Sequence, residues 1–194
     1  GPKLLFIALS EVKRDIGNDE AKNKRALEAV GEQMDIFREI TSILHKAGAL
    51  IEAKNNDGQT ALILASQNPY SSSLVSELLN FQPDVNAQDN KGMTALMMTG
   101  LFGNDSTAKL LVMHGLQQEL RGKTGLNINA TDKTGATALM MASARGSTEV
   151  VKVLLENGAN VNIKMYPNIT ALYFAKTTNH QNIVNLLKQA GAKE

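Results

Sequence analysis

The sequence predicts an all-α solenoid of about five helix-turn-helix units linked by β-turn-like loops. Three observations predict it. A Thr-Ala-Leu phrase recurs at Thr60, Thr94, Thr137 and Thr170, spaced by 34, 43 and 33 residues. A Gly-containing polar turn precedes the first three copies. After each copy, apolar residues recur at i, i+3 and i+4, the spacing of an amphipathic helix. Self-similarity at such a period marks stacked units, none of which can bury its apolar stripe alone.

Residues 1–54 read as an irregular capping unit. Its inner helix is Leu4 to Leu9, and its outer helix and exit run from Ile40 to Ala53. The Ile16–Asp35 stretch between them is an insertion. This segment holds nine basic and nine acidic residues, 18 of the chain's 39 charges. That density suits the polar outer face a terminal repeat must present. Repeats occupy 55–88, 89–131 and 132–164, and a C-terminal capping repeat occupies 165–194. The turns Asn55-Asn56-Asp57-Gly58, Asp89-Asn90-Lys91-Gly92 and Asp132-Lys133-Thr134-Gly135 carry an acid or amide ahead of a glycine that supplies positive φ. The recurring phrases are the inner helices. The outer helices contain Leu74–Leu79, Thr107–Val112, Val150–Leu155 and Ile183–Leu187. Gly115, Gly158 and Gly191 are expected to cap three of them. The long middle step places an inserted loop at Leu116–Leu126.

Composition sets limits. Hydrophobic residues make up 43%, charged residues 20% and aromatics 4%, with no Trp, so the core must be aliphatic and Met-rich. A net charge of +1 offers no basic surplus for nucleic acid. The absence of cysteine excludes disulfides, thiolate metal sites and a cysteine nucleophile. The longest apolar run near the start, Leu4–Leu9, is too short for a signal-peptide core or a membrane span. Gly1-Pro2 is the kind of dipeptide left by protease removal of a tag, so the chain is expected to be cut from a longer protein.

Residues 132–164, from Asp132-Lys133-Thr134-Gly135-Ala136-Thr137-Ala138-Leu139 to Leu154-Leu155-Glu156-Asn157-Gly158-Ala159-Asn160-Val161-Asn162, resemble a nearly complete ankyrin repeat. The resemblance covers residues 40–192 well. The family phrase is T-P-L-H-x-A with a period of about 33. Here Ala61, Ala95, Ala138 and Ala171 replace the Pro, and Ile63, Met97, Met140 and Tyr173 replace the His. The T-A-L-M-M wording is similar to ankyrin proteins of bacteria, including effectors that intracellular bacteria deliver into host cells. The resemblance implies a non-catalytic scaffold in the cytoplasm, or in the host cytosol for an effector. It would be monomeric and would bind another protein through a concave face of turns and inner helices. It implies no cofactor, no nucleic acid and no membrane insertion. The alternative is a targeting or regulatory module of a larger enzyme.

No catalytic or metal constellation is apparent. Gly122-Lys123-Thr124 lacks the earlier glycine of a phosphate loop, because Gln117 stands there. His45, His114 and His180 lie in separate units without a second ligand at metal spacing, and capping or surface roles are expected for them. No Ser sits in a G-x-S-x-G turn. Of Met97-Met98 and Met140-Met141, one of each pair should face the core and the other the adjacent unit.

The resemblance places partner contacts at the turn positions Asn56, Asp57, Gln59, Asn90, Lys91, Met93, Lys133 and Thr134. Inner-helix ends add Leu101, Phe102, Ala144 and Arg145, and Tyr166 is a further choice. Phe102, an aromatic on an expected concave surface, is the strongest anchor candidate; the alternative is that it packs under the inserted loop.

Overall fold

The computed structural model describes residues 50–193. The leading helices of the expected first unit, the Ile16–Asp35 insertion and His45 lie outside the described residues. Among the described residues, eight helices form four pairs. The first of each pair is an inner helix: α1 (Ala61–Ser66), α3 (Ala95–Phe102), α5 (Ala138–Arg145) and α7 (Ala171–Thr177). The second is an outer helix: α2 (Ser72–Asn80), α4 (Asp105–Leu120), α6 (Thr148–Glu156) and α8 (Gln181–Gln189). Inner helices pack on the inner helices of adjacent units, and outer on outer.

Each inner helix starts at the Thr of its phrase. Thr60, Thr94, Thr137 and Thr170 accept the N–H of Ile63, Met97, Met140 and Tyr173 through their hydroxyls at 3.2–3.4 Å. The hydroxyl cap does the work the missing proline would have shared, and such a cap contributes roughly 0.5–2 kcal/mol. Two residues on, Leu62, Leu96, Leu139 and Leu172 are buried. From the outer helices, Leu78, Leu111, Leu154 and Leu187 meet them with no exposed surface. Burying such a side chain contributes about 1.5–3 kcal/mol, so the stack is held by one leucine from each helix at each level. The core is continuous through all four units.

The turns are miniature hairpins. In the first three, one side-chain oxygen accepts two backbone N–H groups. Asn55 takes those of Asp57 and Gln59, Asp89 those of Lys91 and Met93, and Asp132 those of Thr134 and Ala136, all at 2.8–3.0 Å. Gly92, with φ +81°, illustrates the glycine requirement, since a Cβ there would stand 2.8 Å from the Lys133 nitrogen. The fourth turn keeps the hairpin with Met165 in place of the acid, closed by backbone bonds between Met165 and Ile169.

Three sets of links join successive units. Adjacent turns are stitched by Asn90 N–H to the Asp57 carbonyl and Lys133 N–H to the Lys91 carbonyl. Outer-helix N-cap residues reach back to the preceding inner helix or the residues just after it: Asn104 Nδ2 to the Asn68 carbonyl (2.8 Å), Ser147 Oγ to that of Gly100 (3.3 Å) and His180 Nδ1 to that of Ser143 (3.0 Å). The third set runs through Asn86, Asn129 and Asn162. Each donates its amide to the carbonyl of Gly125, Gly158 or Gly191 and accepts the N–H of Asn127, Asn160 or Lys193. Glu52 holds the equivalent place one unit earlier and accepts the Asp84 N–H at 2.8 Å.

Several expectations are corrected. Gly158 and Gly191 do take the left-handed cap conformation, but Gly115 lies inside α4, which continues to Leu120. The expected loop at 116–126 is therefore part helix and part return. Leu126 packs directly on the bare face of Gly115. His114 has neither a capping nor a surface role: it is buried, with its Nε2 at 3.0 Å from Gln118 Nε2, which donates onward to Gln82 Oε1 at 2.6 Å. His180 occupies an N-cap position, but its side chain makes no cap bond. Of the methionine pairs, Met97, Met98 and Met140 are buried, and Met141 is half-buried and packed against the core.

Candidate partner-binding face

Counting from the capping Thr of each unit organises this face. The residue four places on is Leu64, Met98, Met141 or Phe174; seven places on stand Gln67, Leu101, Ala144 and Thr177. On an α-helix these two positions share a face. Where α3, α5 and α7 adjoin, they leave an open groove of about 280 Å³ lined by Leu101, Ala136, Met140, Met141, Ala144, Arg145 and Phe174. The floor is Met140, fully buried, and Ala136. Met141, Ala144 and Phe174 are half-buried walls. Leu101 leans in from α3 with 43% of its surface exposed. The Phe174 ring is held edge-on to Tyr173, centroids 6.1 Å apart.

Charge is segregated. Helices α1, α3, α5 and α7 contain no acidic residue, and their cations are Arg145 and Lys176. Arg145 is exposed at the C-terminal end of α5, and no carboxylate among the described residues pairs with it. The turn acids Asp89 and Asp132 each have one carboxylate oxygen committed to backbone N–H groups.

The structure sorts the residues expected at a partner contact. Leu101, Ala144 and Arg145 come together in the groove. Phe102 is exposed beside it at the end of α3. Asn56, Asp57, Asn90, Lys91, Lys133 and Thr134 are exposed along the turn tips, and Gln59 is half-buried. Part of that row is structural: Asn90 donates its amide to the Asn56 carbonyl at 2.9 Å. Tyr166 projects from the last turn with 90% of its surface exposed, away from the groove lining. Met93 is a correction. It is 8% exposed, because its backbone closes the hairpin on Asp89 and its side chain joins the core between units. Gln67, which follows α1 at the place matching Leu101 and Ala144, is buried. Met141 and Phe174 are the functional candidates missed from sequence. Their signal was present four residues after each capping Thr, where Leu, Met, Met and Phe recur.

Among the described residues no group of three or more His, Cys, Asp or Glu side chains is placed to hold a metal, and no helix is long and apolar enough to cross a membrane. Gly122, Lys123 and Thr124 are exposed after α4 and follow no strand.

Comparisons with known proteins agree with this architecture. The family model for ankyrin repeats (3 copies) matches residues 28–121 and 116–194. Over 71 residues, 37% of its length, the chain is 37% identical to Neurogenic locus notch homolog protein 2 of Homo sapiens, and equally to that of Mus musculus. The match spans only 3% of the length of these relatives. With capped inner helices, Gly-turn hairpins and outer helices repeated in register, and with the family model covering most of its length, the chain belongs to the ankyrin-repeat family.

Proposed function

We propose that this chain is a non-catalytic scaffold that binds another protein on the face formed by its turns and inner helices. The supporting observation is the uncovered apolar groove between α3, α5 and α7, with Leu101 exposed at its edge. Aromatic, Met and Arg side chains are the ones enriched at interface cores, and Phe102, Met141 and Arg145 supply them on or beside this groove. Lys91, Lys133 and Thr134 on the turn tips would form the polar rim. The test is affinity capture with the intact chain and with a Leu101→Glu/Phe102→Ala variant, each checked by thermal melting. Selective loss of a captured protein with the variant supports this face. Identical captured sets from two equally stable proteins would rule it out.

A second reading is a recognition module within a longer protein whose catalytic domain lies elsewhere. It is favoured by the relatives, in which the matched segment is a small fraction of the chain. The bacterial wording of the repeat phrase adds an effector acting in a host cytosol as the setting for either reading. Imaging of the tagged protein during infection tests that setting.

A further inference from the structure

The groove has a chemistry that narrows what can fill it. At about 280 Å³ it is smaller than the roughly 300–1,000 Å³ of sites that enclose a drug-sized ligand. It is open and lacks convergent polar groups, which small-molecule sites use to fix orientation. It suits one bulky side chain inserted from a larger molecule. The charge at its edge is one-sided: Arg145 stands free of any carboxylate among the described residues, and the four inner helices supply no anion. A cationic neighbour on the partner would be repelled, whereas a carboxylate would find a guanidinium fork able to hold both its oxygens.

We infer that the groove receives an acidic-apolar polypeptide segment. A Leu, Met or Phe side chain lies between Leu101, Met141 and Phe174, and an adjacent Asp or Glu reaches Arg145. This rests on the binding face proposed above and adds the chemistry of its occupant. Arg145 is itself exposed, so its pairing with a carboxylate sets the choice of flanking residue while the apolar anchor supplies most of the affinity. The thioether of Met141 can adapt to either an aliphatic or an aromatic anchor.

The experiment is selection of a displayed random linear-peptide library on the intact chain, followed by sequencing and binding measurements on individual peptides. The expected consensus is one large apolar residue with Asp or Glu within four positions. Arg145→Glu should weaken those peptides at least about tenfold and, used as bait, should shift the selected flank from acidic to basic. Affinity for the intact chain should fall with added salt. Leu101→Glu separates the two levels of the reading. Peptides lost with Leu101→Glu but showing no acidic preference, or indifferent to Arg145→Glu, overturn the acidic partner and leave the face intact. Peptides indifferent to Leu101→Glu show that the face itself is wrong. Recovery of no binding peptide overturns the segment-sized anchor.

Discussion

Nine residues into its outer helix, the 132–164 unit reaches Asn157 and Gly158, and the helix stops. At the corresponding place in the 89–131 unit the chain reaches Gly115 and stays helical through Leu120. Both glycines lie four residues after a fully buried leucine, Leu154 and Leu111. The difference lies in the residues on the C-terminal side of each glycine. After Gly158 come Ala159, whose N–H bonds the Leu154 carbonyl at 2.9 Å, and Val161, which is buried. Together they make the return turn and its apolar contact. After Gly115 come Leu-Gln-Gln-Glu-Leu, all strong helix formers. Glycine permits a helix to end; the next residues decide whether it does. At Gly115 the missing side chain serves a second purpose, admitting Leu126 as the chain comes back.

This contrast between two units can be broken at four points. The largest effect belongs to what the helices share. Leu154→Ala and Leu111→Ala should each cost about 2–5 kcal/mol in denaturant unfolding. A much smaller loss at Leu111 would mean that the longer helix is not anchored as its neighbour is. Next come the glycines. Gly115→Ala should destabilise by roughly 1–3 kcal/mol, because its methyl collides with Leu126 despite a helical backbone that favours Ala. Gly158→Ala meets open space, so its cost is only that of a side chain at φ +85°, about 1–2 kcal/mol. Thermal melts of the pair would show whether crowding or backbone dominates at each site.

Deleting residues 116–125 joins Gly115 to Leu126-Asn127-Ile128-Asn129, matching Gly158-Ala159-Asn160-Val161-Asn162. The shortened protein should melt cooperatively within about 4 °C of the parent, a change of roughly 1 kcal/mol. Loss of cooperative unfolding would show that the added turn of α4 is structural.

The smallest effect is electrostatic. Burial, and then the positive charges of Arg121 and Lys123, hold the His114 pKa below its ordinary 6.5. The native state therefore resists a proton that the unfolded chain accepts. This contribution to stability is present above pH 6.5 and declines as pH falls from there through the lowered native pKa. His114→Gln should flatten the stability profile in that window, as measured by urea unfolding at a series of pH values. In the 116–125 deletion, which lacks Arg121 and Lys123, the same slope should shrink.

The architecture was legible because its signals repeat. Each Thr cap, each Gly of the first three turns and each buried Leu recurs in the same order in every unit, so an ambiguous copy is interpreted by its neighbours. Gly115 was misread because the period was trusted over the local sequence after it. Met93 was misread because the place before each capping Thr looks like turn tip in one dimension. In three dimensions it is the closing residue of a hairpin, tied to Asp89 and folded inward. Leu101, Ala144 and Arg145 were found by position, but the groove they share was not, since its other wall comes from Phe174, one unit away.

The amides of Asn86, Asn129 and Asn162 carry a mechanical consequence. Each grips two backbone groups of the unit beyond it and none further along. Among the described residues, such an array has no long-range clasp to fail all at once when pulled from its two ends. It would give way joint by joint, in a sawtooth of small releases, and close again in the same sequence when slack returns.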